Sequence, residues 1–390
     1  MIVVYPVNTI FPSARANTIQ ILHTAHALST QGHEVHLIGK KGQNTVEEIF
    51  RHYGIPPQST LNLHLVPAPR LLNTAKGHES LVMKRTVQIL SHFRKAPKIL
   101  FTRDPLFAGL FLNLRGLFRF RLVYEAHTLF FVTAKETYMP VAWNEAKEKR
   151  IARREERVLR KADGIVFISR SLKEFVTDYF PLPARSTVIH DGTLWPGELS
   201  REKKPNLICY SGQFYLWKGM ATLLESMRWV DGAKLLLYGG GYSTVQDDLK
   251  EIRRIMDEFQ LQDKIEVRSY VPPSGIGETI AECSIGALPL PKNIIANHCN
   301  SPLKLFDYMA GGLAVVASDL LTIREIIDHG RNGHLVAPGD PKALADGINL
   351  LVQDSGYRNA LAAAARDTAK AYTWQERGIH LSRFFEQTVA

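Results

Sequence analysis

The segment 300–312, NSPLKLFDYMAGG, places residues able to seat a phosphate just ahead of a carboxylate able to hold a diol. Ser301 reads as the N-cap of a helix with Pro302 in its first turn. The free N–H groups near Ser301 to Lys304, Leu303 among them and Pro302 supplying none, would then point at an anion. Asp307 follows about a turn later, where it could accept hydrogen bonds from vicinal sugar hydroxyls. Leu303, Phe306 and Met309 are expected to face the core, with Lys304 on the opposite side. A nucleotide site fits these letters, and so does a plain capped core helix.

Two further segments could complete such a site. In 211–219, SGQFYLWKG, Gly212 permits a tight turn or a close backbone approach, Gln213 follows it, and Lys218 lies near a helix start. Its ammonium and the free N–H groups there could hold phosphate oxygens together. In 238–242, YGGGY, Gly240 is the middle of three glycines that admit either a ligand or a turn. In the first half, YEAHT at 124–128 sets Glu125 and His127 at the end of a strand pattern. A histidine with a near-neutral pKa there would suit proton exchange or a hydrogen bond to phosphate. The loop 6–18 carries Arg15 ahead of the first helix and could approach a substrate, while Asp191–Gly192 reads as a strand-end turn. His23 and His26 read as ordinary surface or core-edge histidines. No pair of cysteines has metal-ligand spacing, and neither a GxSxG elbow nor a Walker loop occurs.

The elements that must carry these residues repeat one pattern. Short Val/Ile/Leu runs at 2–5, 35–38, 63–66, 99–102, 122–124, 164–168 and 186–189 alternate with helical stretches. A second series follows at 207–210, 234–238, 265–268, 285–288, 314–317 and 334–336. Such runs, spaced by helix lengths, predict two parallel sheets covered on both faces, with active-site residues in the crevice at the strand C-terminal ends. The helix over 18–31 has Ile21, Leu22, Ala25 and Leu28 on one face and Gly32 at its end. The polar stretch 196–205, PGELSREKKP, reads as the connection, giving domains over 1–195 and 206–371 and a closing helix over 372–390.

Composition bounds the function. The 390 residues are 45% hydrophobic, enough for two cores and too apolar for a disordered chain. Three cysteines make no disulfide framework, and no apolar run reaches the roughly 20 residues needed to span a bilayer. A cytoplasmic protein is expected, without signal peptide. The net charge of +10 favours an anionic partner. Its densest source is 144–161, with eight basic residues, followed by Arg115, Arg119 and Arg121. A solvated helix face and contact with an anionic membrane both fit. Nucleic acid is disfavoured, because no zinc-finger, homeodomain or ribonucleoprotein pattern occurs.

In order and spacing, the chain resembles glycosyltransferase family 4, with the GT-B architecture of two Rossmann-like domains facing across a cleft. The resemblance rests on GHEVHLIG, YEAH, ADGIVFISRSLKEF and VIHDG in the first half. In the second half it rests on YSGQFYLWKG, LLLYGGG, SPLKLFDYMAGGLAVVASD, IREIIDHGRNGHLVAPGD and the final AYTWQERGIHLSRFF. It implies a retaining transfer from a nucleotide-sugar to an acceptor hydroxyl, without metal or other cofactor, in glycolipid, cell-envelope or exopolysaccharide synthesis. The second domain would bind the nucleotide and the first the acceptor, which a basic surface would suit if it is lipid-linked or anionic, at the inner membrane face. The final helix would return to the first domain.

The resemblance also implies roles. Lys218 would neutralise the diphosphate with the SPLK main chain, Asp307 would hold the ribose, and His127 would face the transferred sugar. The sequence departs from the family pattern at two places. Gln213 stands where an arginine is usual. Of two glutamates eight positions apart, the second corresponds to Asp307 and the first to Cys299, with His298 and Asn300 as neighbouring substitutes. These departures leave a non-catalytic nucleotide-sugar-binding partner as the alternative, with a phosphorylase or epimerase on the same architecture as a third class.

Overall fold

A computed structural model describes residues 1–67, 75–133, 144–198, 201–239 and 245–390. The strands in chain order are β1 (Ile2–Phe11), β2 (Glu34–Lys41), β3 (Leu61–Val66), β4 (Lys98–Thr102), β5 (Arg121–Ala126), β6 (Gly164–Phe167) and β7 (Ser186–Val188). They continue as β8 (Lys204–Ser211), β9 (Lys234–Tyr238), β10 (Ile265–Arg268), β11 (Cys283–Leu288), β12 (Ala314–Ser318) and β13 (His334–Val336). Four helices carry the argument: α1 (Ala16–Thr30), α2 (Glu145–Lys161), α3 (Leu303–Ala310) and α4 (Trp374–Val389). The chain forms two compact units. Unit 1 holds Met1–His190, His298–Ser301 and Trp374–Ala390; unit 2 holds Asp191–Asn297 and Pro302–Thr373.

The sheet of unit 1 is parallel, in the order β3-β2-β1-β4-β5-β6-β7. Every residue of β4 and β6 is buried, as expected for strands covered on both faces. On α1, the stripe Ile21, Leu22, Ala25 and Leu28 is buried, and the helix stops where Gly32 takes a φ of 81°. Helix α4 packs on α1 so closely that a Cβ at Gly378 would lie 2.8 Å from the Ala27 carbonyl oxygen. His23 belongs to this core, correcting the surface or core-edge expectation. It stacks on Trp374 with centroids 5.2 Å apart, and burial pushes its pKa down to about 3.

Unit 2 repeats the design with the order β10-β9-β8-β11-β12-β13, again all parallel. In both sheets strand order reverses beside the first strand, at β1/β4 and at β8/β11. Ligands of such sheets bind beyond the strand C-terminal ends at these points.

The basic stretch forms α2, capped by Asn144, whose side chain accepts from the Lys147 N–H at 2.8 Å. Part of its charge is answered locally. Glu145 pairs with Lys149, and Glu156 with Arg160 at 3.1 Å. Asp163 likewise takes Arg115 at 3.4 Å and Arg121 at 3.1 Å. The buried Glu155 accepts from the Phe130 and Phe131 N–H groups at 2.7 and 2.9 Å, holding the start of the short helix Phe130–Thr133.

Candidate functional site

In unit 2 the loop after β8 meets the end of β9. Gly212 has a φ of 124°, and its N–H donates to the Tyr238 carbonyl at 2.8 Å. A Cβ on Gly239 would lie 1.9 Å from the Gly212 carbonyl oxygen, so the two glycines must pass backbone to backbone. The Tyr308 hydroxyl on α3 accepts from the Ser211 N–H at 2.8 Å and ties the end of β8 to α3.

Two lysines converge here. The Lys304 ammonium lies 3.6 Å from the centroid of the Tyr210 ring, and 3.3 Å from where a Cβ on Gly212 would stand. Lys218 closes the single turn Leu216–Lys218, 5.2 Å from the Tyr215 ring centroid. Gly219 follows with a φ of 83°, and a Cβ there would lie 1.6 Å from the Pro289 carbonyl oxygen beyond β11. Burial lowers the pKa of Lys218. Burial, then repulsion by Lys218, holds the Lys304 pKa well below the usual lysine range. Desolvated cations that repel each other make a place where an anion is stabilised.

Asp307 is half-buried on the same helix as Lys304 and accepts from the Thr193 hydroxyl at 2.6 Å. Burial raises its pKa to about 6, against the opposing effects of that hydrogen bond and of Lys304. Thr193 is itself fixed, since its N–H donates to the Tyr372 carbonyl at 3.0 Å.

Several expectations need correction. The helix begins at Leu303, with Pro302 extended (φ −75°, ψ 110°) in the cap position expected for Ser301. The residue before a proline is disfavoured in helical conformation, so the chain enters α3 from an extended segment. Leu303 is only half-buried; Leu305, Phe306, Tyr308 and Met309 fill the core. Lys304 folds onto Tyr210 rather than lying on a side opposite the packed face, because the aromatic ring draws the cation inward.

The expected sugar-contact residues Arg15, Glu125, His298, Cys299 and Asn300 all belong to unit 1. There the Ser169 hydroxyl donates to the His298 carbonyl at 2.9 Å and the His298 ring stacks on Phe175. Cys299 is buried. Gln213 follows Gly212, its main-chain oxygen accepting from the Tyr210 hydroxyl at 3.2 Å, while its side-chain oxygen is buried without a partner among the described residues. Arg15 is exposed at the start of α1. Gly240 lies outside the described residues.

Unit 1 carries a second constellation at the end of β5. Glu125 is fully buried, and both carboxylate oxygens are engaged. Oε1 takes Arg377 of α4; Oε2 takes the His127 Nε2 at 2.9 Å and the Gln20 amide at 3.0 Å. Burial acts to raise the Glu125 pKa, but Arg377, His127 and Arg103 together hold it well below the usual carboxylate range. Glu125, expected as a direct sugar or acceptor contact, is therefore turned inward onto Arg377, His127 and Gln20. The near-neutral pKa expected for His127 is also corrected. Burial and then Arg103 lower it to about 4, against the opposing pull of Glu125. Sequence reading missed Arg377, Gln20, Arg103, Tyr210 and Thr193. Only Arg377 left a local signal, a charge within the otherwise apolar stripe of Trp374, Leu381 and Phe385.

A family model described as glycosyl transferases group 1 matches residues 193–368, and one described as Glycosyltransferase Family 4 matches residues 18–193. The chain belongs to glycosyltransferase family 4. The chain is 30% identical over 177 residues to the phosphatidyl-myo-inositol mannosyltransferase of Mycobacterium leprae. That match covers 44% of each, so the chain spans less than half the length of this relative. The fold is GT-B. It resembles sucrose-phosphate synthase of Thermosynechococcus elongatus at a TM-score of 0.76 and 18% identity, over 99% of this chain and 98% of that one. Anabaena HepE in complex with UDP-glucose is similar at a TM-score of 0.70 and 14% identity, over 99% of this chain and 100% of that one.

Proposed function

We propose that the protein is a retaining hexosyltransferase that moves a sugar from a nucleoside-diphosphate donor to an acceptor hydroxyl in glycolipid, cell-envelope or exopolysaccharide synthesis. The observation that carries this reading is the pair Lys218 and Lys304, two desolvated ammonium groups gathered at the β8/β11 switch point of unit 2. The bond from the anomeric carbon to the diphosphate breaks, and one to the acceptor oxygen forms on the same face of the sugar. The diphosphate departs with added negative charge, and the acceptor proton leaves with it. Lysines already held in place stabilise that charge without reorganisation. We assign leaving-group neutralisation to them, with no metal. Asp307 would receive the ribose hydroxyls, and His127 would contact the sugar or acceptor.

Binding of UDP-glucose by Anabaena HepE and the acceptor in the name of the Mycobacterium leprae relative agree with this reading. The basic face of α2 adds an attraction to an anionic or lipid-linked acceptor. A donor screen tests the reading. One nucleotide-sugar should raise the melting temperature and be consumed when an acceptor is added; no shift with any uridine, guanosine or adenosine diphosphate sugar contradicts it.

A further inference from the structure

We propose that Arg377, acting through Glu125, is a positioning residue that holds His127 with its proton on Nε2, so that Nδ1 offers a lone pair to a hydroxyl of the sugar or acceptor. The hydroxyl rests on the transferase reading; the proton's position rests on hydrogen bonds alone.

Those bonds leave one assignment. Arg377 is buried and its guanidinium is directed on all sides. Nε donates to the Thr24 hydroxyl at 3.0 Å, Nη1 to the Ile189 and His190 carbonyls at 2.8 and 2.7 Å, and Nη2 to Glu125. A guanidinium stays charged, so Glu125 opposite it is a carboxylate, which can only accept. Gln20 is fixed by the same logic. Arg103 donates to its Oε1 at 2.7 Å, so its amide nitrogen faces Glu125. The His127 nitrogen beside Glu125 must therefore carry the hydrogen. Nδ1 has no hydrogen-bond partner among the described residues, and 13% of the side chain's surface remains exposed.

Among the described residues, the charged groups acting on the ring are Glu125 from β5, Arg377 from α4 and Arg103 after β4. Helix α1 contributes only the neutral Gln20 and Thr24. Two cations against one anion in a buried site disfavour an imidazolium. A neutral ring whose available nitrogen is an acceptor cannot donate to a phosphate. It suits a hydroxyl, whose O–H it can accept in a hydrogen bond and so orient.

The test is side-chain nitrogen NMR of histidine-labelled full-length protein, with His127 assigned through His127→Asn. The wild type should show a protonated Nε2 and an unprotonated Nδ1, unchanged from about pH 5.5 to 8. A proton on Nδ1, or a charged ring at neutral pH, overturns the proposal. Glu125→Gln combined with Arg377→Met removes both partners and avoids leaving either charge unpaired. In that variant we expect a mixture of tautomers, and kcat lower by about 10²-fold with KM changed less than about threefold. Arg377→Lys should keep the Nε2 proton and recover part of the rate. A single tautomer with full kcat in the double variant overturns the role of Arg377. If the double variant fails to fold, the wild-type spectrum still decides the tautomer. A wild type with the expected tautomer but no transfer from any donor overturns the hydroxyl assignment and the transferase reading, while the tautomer stands.

Discussion

The Lys304 ammonium rests 3.6 Å from the centroid of the Tyr210 ring, on the side where the Gly212 loop passes. A cation held against an aromatic face at a strand end, with a second lysine opposing it, has its attraction to an anion organised before the anion arrives. Binding a diphosphate should raise both depressed lysine pKa values and draw protons from the buffer. Calorimetric titration with a nucleoside diphosphate in two buffers of different ionisation heat should show net proton uptake at alkaline pH, and Lys304→Met should diminish it.

Removal of either ammonium should slow transfer more than it harms folding. For Lys218→Ala we expect a fall in kcat/KM of about 10²-fold or more, the scale of losing a charge-stabilising donor. A fall below about threefold with a verified donor and acceptor would remove Lys218 from that role.

Asp307 titrates near pH 6, above its ordinary range, because burial disfavours the carboxylate. Between the ordinary aspartate pKa and 6 the folded protein binds more protons than the unfolded chain, so this group favours folding more as pH falls through 6. Nucleoside binding should move the opposite way, weakening below pH 6 as the acceptor carboxylate is lost. Asp307→Asn should be at least as stable as the wild type at pH 8 and bind a nucleoside about tenfold more weakly. Chemical denaturation and nucleotide titration at pH 5 and 8 check both halves.

Glu155 obeys the same sign. Burial raises its pKa to about 7, against the two N–H groups of Phe130 and Phe131 that favour its charge. Its contribution to stability should fall as pH rises from about 5 to 7 and then level off. Glu155→Gln should flatten that slope. Glu155→Ala, which strips two buried N–H donors of their partner, should destabilise by about 1–3 kcal/mol.

Gly219→Ala offers a test of the unit 2 loop that involves no charge. The added Cβ would meet the Pro289 carbonyl oxygen at 1.6 Å in a backbone conformation that L side chains rarely adopt. Destabilisation of more than about 2 kcal/mol is expected, with loss of nucleotide binding as the Lys218 turn shifts.

Legibility followed the range of the physics. Every described strand was readable, because the central strands are buried on both faces and so read as short apolar runs, and the edge strands β7 and β10 keep part of that pattern. Gly212, Lys218, Lys304 and Asp307 were each marked locally by strand-end loops and a helix start, while their grouping into one site came from the family resemblance. The direction of Lys304 was not, since helical spacing says nothing of Tyr210 on another strand. The pairing of Arg377 with Glu125 spans 252 positions, and the lowered pKa of His127 depends on Arg103 from a third element. Ser301 misled because a serine before a proline matches a capping pattern that the extended backbone at Pro302 does not complete.

The central claim is that Lys218 and Lys304 bind the diphosphate of a sugar donor, and calorimetric titration with nucleoside, monophosphate and diphosphate of the matching base tests it most directly. We expect affinity to rise by at least about tenfold on adding the second phosphate, and that increment to vanish in Lys218→Ala/Lys304→Ala while nucleoside binding persists. Equal affinity for nucleoside and diphosphate in the wild type, or an unchanged increment in the double variant, would contradict the account.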